Sequence, residues 1–133
     1  MKSIKIAIPS LIENITIIES FIDNAREKFH INDDIYGNIM ISVTECVSNA
    51  IMHGNREDKK KSVRLELRFL DDQIKFIIED EGDGYDYQHL NDPTSPENLE
   101  KSGGRGVFIM KHLCDEIQFE NQGSRITLTF YMN

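Results

Sequence analysis

The sequence predicts an α+β fold: a two-layer α/β sandwich with a mixed, mostly antiparallel sheet covered on one face by helices. Three observations predict it. Segments alternating at period two occur in pairs around short turns, which is how hairpins read in sequence. Two long segments with apolar residues at helical spacing stand between the first strand and the first hairpin. The chain has 133 residues, enough for one core and a single domain over residues 1–133.

Lys2 to Ile8 alternates polar and apolar residues and reads as a strand with one buried face. Pro9-Ser10 ends it. Ser10 is suited to cap the next helix, and Glu13, three residues on, completes a capping box. Leu11 to Phe29 follows with Leu11, Ile15, Ile18, Phe21, Ile22 and Ala25 at helical spacing. Asn32-Asp33-Asp34 punctuates the chain, and its aspartates suit the cap of a second helix from about Ile35 to His53. Ile39, Val43, Cys46, Val47 and Ala50 form the core-facing side of that helix, and Gly54-Asn55 stops it as a C-cap glycine does. Asn55 to Lys61 is polar and reads as a solvated loop. Ser62 to Leu70 alternates, turns at Asp71-Asp72-Gln73 and pairs back through Ile74 to Glu79.

From Asp80 to Gly104 the periodicity lapses among Gly82, Gly84, Pro93 and Pro96. A connection this long inside a compact domain suits a lid, placed at about residues 81–104. Gly106 to Cys114 regains helical spacing through Val107, Met110 and Leu113. Ile117 to Glu120 and Arg125 to Tyr131 then form a hairpin around Asn121-Gln122-Gly123. The order is β-α-α-β-β-lid-α-β-β, with no internal repeat.

Composition narrows the function. A hydrophobic content of 39% with 29% charged residues is that of a soluble globular protein. A formal net charge of -8 argues against direct nucleic-acid binding, which favours a basic face. No apolar run approaches the roughly 18 residues that suit a membrane span, and the alternating N-terminus is unlike a signal peptide. Cys46 and Cys114 stand among apolar neighbours without metal-ligand spacing, which suits buried free thiols. A cytoplasmic protein that contacts no membrane is expected.

Three segments carry chemistry. Glu45, Asn49 and His53 stand at four-residue steps, so an acid, an amide and an imidazole share one stripe of the second helix. Asp80-Glu81-Gly82-Asp83-Gly84 follows a strand directly, and its alternate glycines allow a sharp turn and close approach of a ligand. Asp80 there is able to accept a hydrogen bond from an exocyclic amine, although the same motif also serves as a plain tight turn. Gly103-Gly104-Arg105-Gly106 feeds a helix N-terminus, where unpaired N–H groups and the dipole favour phosphate. Arg105, with Lys101 nearby, adds charge-assisted donors. The pattern is not a P-loop, since no Gly-Lys-Ser/Thr follows, nor the dinucleotide fingerprint.

In this order the segments resemble the GHKL (Bergerat-fold) ATP-binding superfamily, and within it the anti-sigma-factor serine/threonine kinases. Glu45 to Asn55 resembles the family's N-box, Asp80 to Gly84 its first glycine box, and Ser102 to Gly106 its second. The resemblance implies ATP and Mg²⁺ as cofactors, with Asn49 the metal ligand and Glu45 the catalytic base toward a substrate hydroxyl. It implies that Asp80 bonds the adenine amine, with Gly82 and Gly84 letting base and ribose pack close. Gly103, Gly104, Arg105 and Gly106 would hold the phosphates, and His53 would be a supporting hydrogen-bonding residue. The implied activity is transfer of phosphate from ATP to a serine of a small antagonist (anti-anti-sigma) protein, by a chain that also binds a sigma factor. A homodimer is expected.

Two departures from the family pattern stand out. Ser124 occupies the place of a usual threonine, keeping the hydroxyl and losing a methyl. Ser10 to Asp23 holds no Arg or Lys, whereas some relatives dock partners through an arginine there. The competing reading from a different class is a nucleotide-gated binding module that sequesters a regulatory partner without phosphotransfer.

Overall fold

The computed structural model describes residues 2–82 and 110–132. Most of the expected lid, Gly84, and the segment Gly103 to Gly106 lie outside the described residues.

Among the described residues, five strands form one sheet: β1 (Lys2–Pro9), β2 (Ser62–Phe69), β3 (Gln73–Glu79), β4 (Glu116–Glu120) and β5 (Arg125–Tyr131). Their order across the sheet is β1-β2-β3-β5-β4, and all four pairings are antiparallel. Two helices, α1 (Ile15–Phe29) and α2 (Asp33–Asn49), cover one face. Register explains why that face is the core. Ile6 pairs with Leu65, Leu65 with Ile78, Ile78 with Ile126, and Ile126 with Phe119. The neighbouring row runs Ile4, Leu67, Phe76, Leu128 and Ile117. Side chains at period two thus stack into apolar rows under the helices. Phe76 and Phe130 meet edge to face at 6.0 Å between ring centroids, and each such fully buried side chain stabilises the fold by roughly 1.5–3 kcal/mol.

The other face is polar. Arg64 bridges to Glu79 at 2.9 Å, and Arg125 reaches Glu79 at 3.8 Å and Glu120 at 3.5 Å, forming a charged ladder across four strands. A concavity of about 430 Å³ opens on this face, lined by Lys5, Arg64, Glu66, Ile77 and Arg125 among others.

The helices bury the side expected of them. Ile18, Ile22, Ala25 and Phe29 of α1 face inward, as do Ile39, Val43, Cys46 and Val47 of α2. Their starts differ from expectation. Ser10 caps no helix: its buried hydroxyl donates to the Lys61 carbonyl at 2.6 Å. A 3-10 turn, Ile12–Asn14, precedes α1 without a side-chain cap. A tertiary acceptor 51 residues away has taken the hydroxyl that local pattern assigns to the helix. The second helix is capped by Asn32, whose side chain accepts from the Asp34 N–H at 2.8 Å, rather than by either aspartate. Its two aspartates instead fill the first turn, where the helix dipole favours negative charge.

Candidate functional site

The site begins where α2 ends. The helix is regular to Asn49, then widens into a single π-helical turn, Ala50–Gly54, in which the Asn55 N–H bonds to the Ala50 carbonyl at 2.8 Å. Isolated π turns are uncommon and occur often at functional sites. The change of pitch breaks the expected stripe. Glu45 is partly exposed and Asn49 is 5% exposed, both on the α-helical part, whereas His53 belongs to the wider turn and is exposed. The amide nitrogen of Asn49 is buried with no hydrogen-bond partner among the described residues. A buried, unpartnered amide costs free energy unless something satisfies it. Rotation of the amide presents an oxygen in the same place, and oxygen is the donor that Mg²⁺ takes.

Gly54 does not end the helix by adopting a left-handed conformation; among the described glycines only Gly123 has a positive φ. Its missing side chain is needed for another reason. A Cβ at Gly54 would overlap the Asp80 carboxylate, and one at Gly82 would overlap the Gly54 carbonyl oxygen. The π turn and the turn after β3 therefore meet backbone to backbone, with the Asp80 carboxylate lying over Gly54. Close approach, not φ, fixes both glycines.

Asp80 is held from several sides. Its N–H donates to the Ser124 carbonyl at 2.9 Å, and its Oδ1 accepts from the Gly82 N–H at 2.8 Å. It is 5% exposed, and burial pushes its carboxyl above the ordinary range; the Gly82 N–H opposes this, and the Glu79 charge adds a smaller push. Ser124 thus stands beside Asp80 through its backbone, while its hydroxyl donates to the Asn121 carbonyl at 3.0 Å. Asn55 joins the two turns. Its Nδ2 donates to Ser10 Oγ at 2.7 Å and to the Ser62 carbonyl at 3.0 Å, and its Oδ1 accepts from the Glu81 N–H at 2.7 Å. The Ser62 N–H in turn donates to the Glu81 carboxylate. Sequence reasoning gave Asn55 no such role. Its partners lie 45, 7 and 26 residues away, so no local pattern marks them.

The structure therefore brings Asp80, Gly82 and Ser124 together at the end of the π turn that follows Glu45 and Asn49. Among the described residues no cluster of His, Cys, Asp and Glu could hold a metal by itself. Neither thiol is poised for chemistry: burial raises Cys46 well above its usual value and Cys114 to about 11. No described helix is long and apolar enough to cross a membrane.

Two outcomes follow from this packing. Gly54→Ala should cost about 1–3 kcal/mol of stability in chemical denaturation, as overpacking does. That cost should shrink in an Asp80→Ala background, whereas Gly82→Ala, which meets backbone, should stay costly; equal relief of both would contradict the contact. The raised Asp80 carboxyl gives a second outcome. A folded-state value above the unfolded one favours the protonated form, so ionised Asp80 weakens the fold as pH rises through the carboxylate range. Asp80→Asn should thus melt higher than the wild type at neutral pH, and the gain should vanish as pH falls below the ordinary carboxylate value. A constant difference across a pH series of melts would contradict the burial.

Comparison with known proteins fits this geometry. A family model, the histidine kinase-like ATPase domain, matches residues 8–130. The serine-protein kinase RsbW of Bacillus subtilis (strain 168) is 28% identical over 137 residues, covering 98% of this chain and 86% of the relative. The protein of the same name from Staphylococcus aureus (strain Newman) is 27% identical, covering 97% and 86%. The matched segment contains every described element of the site, from Ser10 to Ser124, and on that match the chain belongs to the histidine kinase-like ATPase domain family.

Proposed function

We propose that this chain is an ATP-dependent protein serine/threonine kinase that acts as an anti-sigma factor in partner switching. It would bind a sigma factor and phosphorylate a serine of a small antagonist protein, in the cytoplasm, as a homodimer. The observation that carries the reading is the seating of the Asp80 carboxylate over Gly54, at the end of the helix bearing Glu45 and Asn49, whose amide nitrogen has no partner among the described residues. Near-full-length likeness to serine-protein kinases supports the same reading.

Each residue has a physical task. Asp80 accepts a hydrogen bond from the adenine amine, and the close packing of Gly54 and Gly82 holds its carboxylate in place for that contact; Gly84 and Ser124 extend it. Asn49 would supply a side-chain oxygen ligand to Mg²⁺, a cation that takes oxygen donors. When bound there, Mg²⁺ would neutralise charge on the phosphates. Gly103, Gly104, Arg105 and Gly106 hold the β- and γ-phosphates through backbone N–H groups and the guanidinium. Glu45, one helical turn before Asn49, takes the proton of the substrate serine. The serine oxygen forms its bond to the γ-phosphorus as the bond from that phosphorus to the bridging oxygen breaks, and ADP carries the electron pair away.

Glu45→Gln keeps the shape of the site and removes the base. With the small antagonist protein and radiolabelled Mg-ATP, it should lower phosphate transfer by about 10²–10⁴-fold while nucleotide affinity by calorimetry stays at the wild-type value. Undiminished transfer would remove Glu45 from the mechanism. ATP binding by the wild type without transfer would instead favour the nucleotide-gated binding module.

A further inference from the structure

Three segments that are remote in sequence converge on one buried amide. Asn55 is 1% exposed and satisfies three hydrogen bonds: to Ser10 Oγ where β1 gives way to the first helical turn, to the Ser62 carbonyl at the start of β2, and from the Glu81 N–H in the turn after β3. Ser10 is itself fully buried and committed to the Lys61 carbonyl, so it accepts from Asn55 and stays fixed. The amide has one acceptor end and one donor end, and both are used. Its acceptor end matters most for the site. The Glu81 peptide directly follows Asp80, and the Gly82 N–H next along bonds the Asp80 carboxylate. Fixing the Glu81 N–H therefore fixes the turn that aims the carboxylate.

We propose that Asn55 is a positioning residue for adenine recognition. It holds the Asp80–Gly82 turn against the π turn, so selection of the base depends on a side chain that itself touches no nucleotide. The proposal rests on the assignment of Asp80 to the adenine amine. Without the Asn55 oxygen, the Glu81 N–H loses its partner, and the turn, still tied by the Asp80–Ser124 and Ser62–Glu81 bonds, is less firmly held where it sets the carboxylate over Gly54. Affinity contributed by the phosphates, which the proposed function assigns to Gly103 to Gly106, should be little changed by that loss. The loss is therefore specific to the base, and a general loosening of the fold would not be.

The test compares ATP with inosine triphosphate, which has a carbonyl in place of the exocyclic amine. Calorimetric Kd values for both, with Mg²⁺, are measured on the full chain, its Asn55→Ala and Asn55→Ser variants, and Ser10→Ala. The serine hydroxyl stops one bond short of the Glu81 N–H and disturbs packing less than alanine, so it keeps the test open if Asn55→Ala does not fold. The wild type should prefer ATP by about tenfold or more, the value of one charge-assisted hydrogen bond. Both Asn55 variants should lose most of that preference with the Kd for inosine triphosphate nearly unchanged. Ser10→Ala, which leaves the Glu81 bond in place, should keep it. An Asn55 variant that melts cooperatively and discriminates as the wild type does overturns the proposal alone. So does a parallel loss of both nucleotides, or a loss of preference in Ser10→Ala equal to that in Asn55→Ala. A wild type that binds neither nucleotide, or both equally, overturns the role of Asp80 and the proposal with it.

Discussion

The contact between Asp80 and Gly54 sets the geometry of everything around it. A carboxylate 5% exposed lies on a backbone that carries no side chain, and Gly82 closes the space from the other turn. Nothing at these positions can grow, so the end of α2 and the end of β3 are held at one separation. The widened π turn belongs to the same constraint: it carries Gly54 and Asn55 from the end of a core-packed helix to the strand-end turn. The fold tolerates a buried carboxylate with a raised ionisation range here, a local cost of the kind that functional sites often carry.

The two faces of the sheet divide the work. Helices and apolar rows on one face supply the stability that keeps α2 rigid while it presents Glu45 and Asn49. The opposite face carries a ladder of exposed ion pairs, each worth little by itself, whose alternating signs suit a solvated surface. Its concavity is lined by strand residues such as Lys5, Glu66 and Arg125, without a glycine turn or a helix end.

Much of this was legible in the sequence. Period-two alternation gave β2, β3 and β5 to within a residue or so, and helical spacing identified the apolar side of α2, but not the burial of Ser42 and Asn49. Asp80 and Gly82 were marked by their place after a strand. What escaped was decided by partners far along the chain. Ser10 looked like a helix cap because capping is a local pattern, yet Lys61 and Asn55 claim its hydroxyl. Gly54 looked like a C-cap because glycine commonly is one, yet it is needed to admit Asp80. The π turn has no sequence signature, and neither do the bonds of Asn55. Hydrogen bonds between residues 26 or 45 positions apart follow from the assembled fold, which periodicity does not encode.

We propose that adenine nucleotide sits where the π turn meets the strand-end turn. A titration of isotopically labelled protein with Mg-ATP, followed by NMR, tests it without relying on turnover. The backbone amides of Gly54, Glu81, Gly82 and Ser124, and the side-chain amide of Asn49, should shift together and saturate at one Kd, with Lys5, Glu66 and Thr127 on the open face unmoved. Shifts gathered on that open face, with the five site resonances unchanged, would contradict the account.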